Sequence, residues 1–334
     1  MHDLIIRNGL VVDGVNESPY RADVAVDGNQ ISKVGVISED GLQVIDATDH
    51  IVTPGFVDLH THLDAQIGWD PMLTPLTWHG VTTAILGNCG VTFAPCKPQD
   101  REFLANMMET VEDIPSDAIL SGLAWNWESY GEYLDALELL SPVINVGGMV
   151  GHCAVRFYVM GERGIDQDAS EQEIRQIAKV VEEAIKSGAV GFSTSRNPGH
   201  RIPDGRSVPG TFATEDELLA IAKVVGQEGG LMQSVMNMSR VEEEMSLLKL
   251  EASEARVLFS HYTGGTTSFG DKIEAQVDSM RREGLDVSAM VIPRASGFVA
   301  GIEVYPPWRG GAWDELLPMD LDDRLIAIKD PHLA

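Results

Sequence analysis

The chain has 334 residues, with 51 acidic against 24 basic side chains and a formal net charge of -27. That length accommodates two domains or one α/β barrel with an appendage, and 44% apolar with 22% charged content excludes a disordered chain. A polyanion without a Lys/Arg cluster is repelled by nucleic acid and by anionic lipid, so neither is expected as a partner.

Residues 3–53 read as short strands joined by tight turns. Leu4–Ile6 and Leu10–Val12 flank Asn8-Gly9, whose tolerance of positive φ predicts a hairpin turn. Ala22–Val26 runs to Asp27-Gly28, Ile31–Val36 continues beyond it, and Val44–Ala47 and Ile51-Val52 lead to Pro54-Gly55. The expected unit is a small β domain over residues 1–54, too thin to bury a core alone.

From Phe56 apolar strands alternate with amphipathic helices through residues 55–334. The predicted strands are Phe56–His60, Thr82–Cys89, Val146–Gly151, Ala189–Thr194, Leu231–Met236, Val257–His261 and Val287–Ile292, with Ile119–Trp125 as the candidate for an eighth. Ser170/Glu173, Thr214/Glu217 and Ser239/Glu242 have the spacing of a capping box. Gly188, Gly229 and Gly284 fall where helices should end. Repeated βα units with near-continuous apolar strands predict a parallel sheet covered on both faces. The expected fold is α/β: a (β/α)₈ TIM-like barrel with about seven of its eight units present, an open doubly wound sheet being the alternative.

Three cysteines, Cys89, Cys96 and Cys153, are too few for a disulfide framework and read as reduced thiols. The N-terminus has neither a basic n-region nor an apolar h-region, and no apolar stretch of about 18 residues occurs, so a cytoplasmic protein with no spanning helix is expected.

The strongest chemical motif is Asp58-Leu59-His60-Thr61-His62, at the end of the first barrel strand. Strand alternation places His60 and His62 on one face, at the C-terminal end where barrel active sites lie. Neutral imidazoles so placed are ligands for a cation such as zinc. Cys89, within Gly87-Asn88-Cys89-Gly90, ends the next strand and reads equally as a metal-binding thiolate or a buried inert thiol. His261 ends an apolar run beside Gly264-Gly265 and is either a site residue or a hydrogen-bonded core histidine. His152 and His200 are candidates for substrate contact, with Arg196 available for a carboxylate. His79 precedes its strand and so faces the other end of the barrel. Cys96, Cys153 and the Met232–Met245 stretch read as packing. No nucleophile elbow, phosphate loop or H-E-x-x-H helix is present.

A thin β domain followed by Pro-Gly-Phe-Val-Asp-Leu-His-Thr-His resembles the amidohydrolase superfamily. His79–Thr83, Gly87–Val91, Phe93–Pro95, Val159–Arg163 and Gly191–Ser195 resemble its N-acyl-D-amino-acid deacylase (D-aminoacylase) branch. The resemblance implies hydrolysis of the linear amide of small-molecule N-acyl-D-amino acids, with one or two zinc ions. It carries metal-ligand roles onto His60, His62, Cys89 and His261. Two departures stand out. Val235 occupies the place of a strand-five histidine ligand, and the strand-eight aspartate that serves as general base falls in a continuation beyond Ala334. The same continuation completes the β domain, so little activity is expected of these 334 residues alone. The alternatives are a cyclic amidase or deaminase of the superfamily, or a non-catalytic binding paralogue or inactive fragment. The carboxylated lysine of many cyclic amidases has no candidate in Gly188–Ser195, whereas Val235 favours the non-catalytic reading.

Overall fold

Five strands form one sheet in the computed structural model, which describes residues 1–260, 267–292, 301–302, 312–316 and 318–329. They are β1 (His2–Val11), β2 (Tyr20–Asp27), β3 (Gln30–Gly35), β4 (Gly41–Asp46) and β5 (Ile51–Val52), with β1 between antiparallel β2 and parallel β4 and β5. The predicted turn at Asn8-Gly9 is absent. β1 runs straight through it, with Asn8 at φ 63° and the register against β2 shifting between Ile6 and Gly9. A chain that turned there would lose its ladder to β5, so the positive φ is absorbed as a bulge. The β2–β3 hairpin does form at Asp27-Gly28. This sheet's own buried cluster is only Ile5, Ala25 and Ile37.

The second sheet has seven strands, all parallel and in sequence order: β6 (Phe56–Asp58), β7 (Val81–Leu86), β8 (Asn145–Gly151), β9 (Gly191–Ser195), β10 (Leu231–Val235), β11 (Arg256–Ser260) and β12 (Val287–Met290). This is the strand order of an α/β barrel. Between β7 and β8 lie α1 (Arg101–Glu112), α2 (Ser116–Gly122) and α3 (Tyr130–Leu139). The later connections carry α4 (His152–Met160), α5 (Arg163–Asp166), α6 (Glu171–Lys186), α7 (Glu215–Gln227), α8 (Val241–Ala252) and α9 (Thr267–Arg282). Residues 119–125 are not a strand. Ile119 and Leu123 are buried four residues apart, a helical spacing, and α2 starts directly after Pro115.

β9 is buried at every position, as a central strand covered on both faces must be. In the same core α6 buries Ile177, Val181 and Ile185, and α7 buries Leu218, Ile221, Ala222 and Val225, in steps of three and four. Each such aliphatic side chain contributes about 1.5–3 kcal/mol by leaving water.

The helix ends follow their signals unevenly. Ser170/Glu173 forms the predicted capping box, and Ser129/Glu132 forms another. Thr214 accepts from the Glu217 N–H, but the Glu217 carboxylate turns inward to other partners. Ser239 does not cap α8, which starts after Arg240; its own N–H donates to Asn237 Oδ1 instead. Gly188, Gly229 and Gly284 all adopt positive φ just past helix ends.

The chain divides into two units, residues 1–261 with 265–290, and residues 262–264 with 291–334. The second contains α10 (Ala312–Leu316) and α11 (Leu321–Ala327), tied together by Arg324 donating to Leu316 O and Ile302 O. Among the described residues no helix is long and apolar enough to cross a membrane.

Candidate metal centre

β6 stops at Asp58, so His60 and His62 stand on the loop beyond it rather than on the strand itself. Their common facing comes from local hydrogen bonds, not from strand alternation. Asp58 Oδ1 accepts from the His60 N–H at 3.1 Å, and Thr61 Oγ1 donates to Ile85 O at 2.8 Å, pegging the loop to β7. The two Nε2 atoms come within 3.2 Å of each other. Cys89 Sγ lies 3.1 Å from His60 Nε2 and 3.5 Å from His62 Nε2.

β7 likewise stops at Leu86, and Gly87–Gly90 is a turn that lifts Cys89 out of the strand. Cys89 has φ 56°, a left-handed conformation that costs a non-glycine residue about 1–2 kcal/mol. Several bonds offset that cost. Asn88 Nδ2 donates to Ile85 O at 2.9 Å, the Gly90 N–H donates to Ser193 Oγ at 3.0 Å, and Ser193 Oγ donates to Gly87 O. The Cys89 N–H donates to Gln233 Oε1 at 3.4 Å. Gly87 must be glycine, because a Cβ there would lie 2.1 Å from Met149 O.

The three donors suit a tetrahedral cation. Zinc bonds of about 2.0–2.3 Å to nitrogen and sulfur imply ligand–ligand edges of about 3.3–3.8 Å. The observed edges of 3.1, 3.2 and 3.5 Å fall within a few tenths of that range. Burial holds His60 below the ordinary imidazole range, opposed by Asp58. Burial, with the charges of His60 and His200, brings His62 down to about 3. Both rings are therefore neutral near pH 7, the form that ligates. Burial pushes the Cys89 thiol well up, with Glu112, Cys153 and Asp64 adding to it. A cation at the triad reverses that balance and releases the thiol proton.

The remaining predicted site residues fare differently. His261 lies outside the described residues. His152, expected to touch substrate, is wholly buried, with Nδ1 2.8 Å from Thr194 Oγ1 and Nε2 2.9 Å from Glu217 Oε1. Both ring nitrogens are thus committed, because Glu217 also pairs with Arg156 and the three form a closed internal network. Arg196 places Nε on both carboxylate oxygens of Glu244, at 3.0 and 3.1 Å, and Nη1 on Ala213 O, which anchors the loop after β9. His200 Nδ1 sits 2.9 Å from Ser195 Oγ, and burial with the charge of His60 lowers this ring to about 4. Val235 stands in register between Ser195 of β9 and Ser260 of β11, so that row contains two hydroxyls but no imidazole from β10. Cys96 and Cys153 are buried free thiols, each pushed up to about 12 by burial first.

Four neighbours escaped the sequence reading. Glu112, at the end of α1, brings Oε1 to 3.4 Å from His62 Nε2, and burial with Asp64 and Asp113 pushes its carboxyl up to about 8. Asp64 is fully buried and raised to about 7 by burial, against the Gly87 N–H that it accepts at 3.2 Å. Gln233 and Ser260 lie directly beneath the cluster. The spacing Asp58-x-His60-x-His62-x-Asp64 could have flagged Asp64. Glu112, Gln233 and Ser260 arrive from distant segments with no periodic signal.

A parallel sheet in barrel order, with a His/His/Cys cluster beyond its first two strands, defines an α/β-barrel protein with a candidate metal centre at the C-terminal ends of the strands. The model of the "Amidohydrolase family" matches residues 43–248, and the chain belongs to that family of hydrolases. D-aminoacylase of Alcaligenes xylosoxydans xylosoxydans is 31% identical over 277 residues, covering 80% of this chain and 52% of that protein. The solved structure of N-acyl-D-glutamate deacylase from Bordetella bronchiseptica, complexed with zinc and a phosphonate inhibitor, superposes with TM-score 0.71 at 26% identity, over 88% of this chain and 59% of that one. A D-aminoacylase structure described for its binuclear metal centre superposes with TM-score 0.69 at 28% identity, with the same coverage. The chain spans about half the length of the curated relatives it matches.

Proposed function

We propose that the chain carries the metal centre of a hydrolase that cleaves the linear amide of N-acyl-D-amino acids to a carboxylic acid and a D-amino acid. The observation that carries this reading is the convergence of His60 Nε2, His62 Nε2 and Cys89 Sγ to within 3.5 Å of one another in a chain of the amidohydrolase family. His60, His62 and Cys89 would hold zinc, with His261 a further donor by resemblance. When bound, the ion supplies a lowered pKa for water, to about 7, and polarisation of the amide carbonyl.

The chain's own residues supply the rest. His60 and His62 enter as neutral donors, and Cys89 gives up its proton on loading. Glu112, whose Oε1 lies 3.4 Å from His62 Nε2, has its carboxyl pushed up to about 8 by burial, so it holds a proton near neutral pH and can give it up as a general acid. His200, fixed through Nδ1 by Ser195, presents its other nitrogen to substrate, and Arg196 orients the loop that carries it. The buried His152 network ties Thr194, near the end of β9, to Glu217 of α7. Three buried unpaired thiols support a reducing, cytoplasmic setting.

Val235 is the observation that favours a second, binding-only role, because it removes one imidazole from the donor set. The discriminating experiment is elemental analysis of the complete protein with a hydrolysis panel of N-acyl-D-amino acids, N-acyl-L-amino acids and hydantoins. Bound zinc, lost on His60→Ala, with hydrolysis of the D-amides supports the proposal. Metal and ligand binding without turnover supports the second role. A complete protein with neither metal nor amide hydrolysis refutes the proposal.

A further inference from the structure

We propose that Gln233 is a positioning residue of this centre: a single buried amide that ties the Cys89 turn to the His60 ring through Ser260. The inference rests on the reading of His60, His62 and Cys89 as metal ligands, and adds to it the residue that sets their geometry.

The amide has only one workable orientation. Its oxygen faces the Cys89 backbone N–H at 3.4 Å, and an N–H can only donate, so Oε1 is the atom there. Nε2 therefore donates to Ser260 Oγ, 3.2 Å away. Ser260 Oγ in turn sits 3.2 Å from His60 Nδ1. A serine oxygen that accepts from Gln233 retains a second lone pair for an Nδ1–H. When His60 ligates through Nε2, which faces Cys89 Sγ and His62 Nε2, Nδ1 carries the proton and Ser260 Oγ is placed to accept it. One side chain with no solvent exposure thus touches the backbone of one ligand and, through one hydroxyl, braces the ring of another.

Its place in the sheet explains why it can do both. Gln233 and Val235 lie two residues apart on β10 and share one face of the strand. Val235 pairs with Ser260, and Gln233 pairs with Leu258 one layer lower, so the amide reaches diagonally to Ser260 and sideways to the Cys89 turn. Ser193 of β9 stitches the same turn from its other side. Strand β10 supplies the centre with a brace in the layer below the position where it offers valine rather than a ligand.

The test compares Gln233→Leu, Gln233→Glu and Ser260→Ala in the full chain. Zinc affinity is read by competition with a chromophoric chelator, and the thiolate-to-cobalt absorption is read on the cobalt(II)-loaded protein, with circular dichroism of the metal-free proteins as the fold control. Gln233→Leu removes both bonds, and zinc binding is expected to weaken by about 10–100-fold, with a shifted or weakened cobalt band. Gln233→Glu still accepts from Cys89 and can take the Ser260 hydroxyl proton, which leaves Ser260 free to accept from His60; its affinity is expected to stay close to wild type. Ser260→Ala keeps the Cys89 contact and breaks only the link to His60, and is expected to weaken binding to an intermediate extent. A folded Gln233→Leu protein with wild-type zinc affinity overturns the proposal. Should that variant not fold, Ser260→Ala decides, and unchanged affinity there overturns it equally. A wild-type chain with no cobalt band at all overturns the metal reading itself, which sets that failure apart from failure of the brace.

Discussion

Replacing Glu217 with Gln tests the buried network most sharply. Glu217 has no solvent exposure, accepts from His152 at 2.9 Å and pairs with Arg156, whose other bonds go to Gly164 O at 3.0 Å and Gln167 O at 2.6 Å. Burial alone would raise the Glu217 carboxyl; the bonds and charges of His152 and Arg156 outweigh it and hold the group below its ordinary value. A glutamine fills the same volume, so no cavity opens, but the Arg156 charge loses its compensation while still buried. Removing one partner of a buried pair costs about 3–5 kcal/mol. With the volume conserved we expect the lower end, about 3 kcal/mol. At about 2–4 °C per kcal/mol the melting temperature should fall by about 6–12 °C. Guanidinium unfolding at pH 7, followed by circular dichroism, measures the loss directly. Arg156→Met added to Glu217→Gln should recover part of it, because the stranded charge is gone. The carboxylate's contribution is present above the unfolded pKa and lost as pH falls through its lower folded value, so the gap between Glu217→Gln and wild type should narrow in acid. A variant within about 0.5 kcal/mol of wild type at pH 7 would refute the reasoning, since surface substitutions alone produce changes of that size.

Glu251 should show the opposite pH signature. Burial raises it to about 7, against the Ser234 hydroxyl that it accepts, so the folded state holds a proton that the unfolded chain releases near pH 4.5. Stability should therefore fall as pH rises from about 4.5 to about 7, by up to about 3 kcal/mol, and level off above; Glu251→Gln should flatten that slope in urea titrations. Gly87→Ala places a Cβ 2.1 Å from Met149 O at φ 75° and should cost more than about 3 kcal/mol, whereas Gly229→Ala, at φ 72° with nothing within 4 Å, should cost about 1 kcal/mol by thermal melting. Equal losses from the two would show that the turn carrying Cys89 is not closely packed. Val235→His adds an imidazole in the row between Ser195 and Ser260 and should increase the zinc retained after dialysis. Unchanged retention would mean that this row does not reach the ion.

Local signals were legible wherever the physics is local. The seven parallel strands, the Ser170/Glu173 cap, the helix-ending glycines and the Asp27-Gly28 hairpin all follow from periodicity or from one residue's φ preference. The failures share one cause. Asn8-Gly9 offers a turn, but β2 pairs with Gly9 and β5 with the residues just after it, so the strand runs on. Thr214/Glu217 offers a capping box, but the buried Arg156 and His152 are better partners for that carboxylate.

His60, His62 and Cys89 could be named as ligands from motif and resemblance, and the chain places them together. Their convergence does not come from strand alternation, because both strands end before these residues. It comes from Asp58, Thr61, Asn88, Ser193 and Gln233, whose bonds span from two to more than a hundred residues. The sequence by itself determined the elements, their order and the donor types, because these depend on side-chain periodicity and the chemistry of single residues. Only the tertiary structure decided which histidine is sealed away, which carboxylate stands beside His62 and which amide meets the Cys89 turn. Those outcomes depend on competition among buried polar groups for a limited set of partners, and that competition is settled only when distant segments pack.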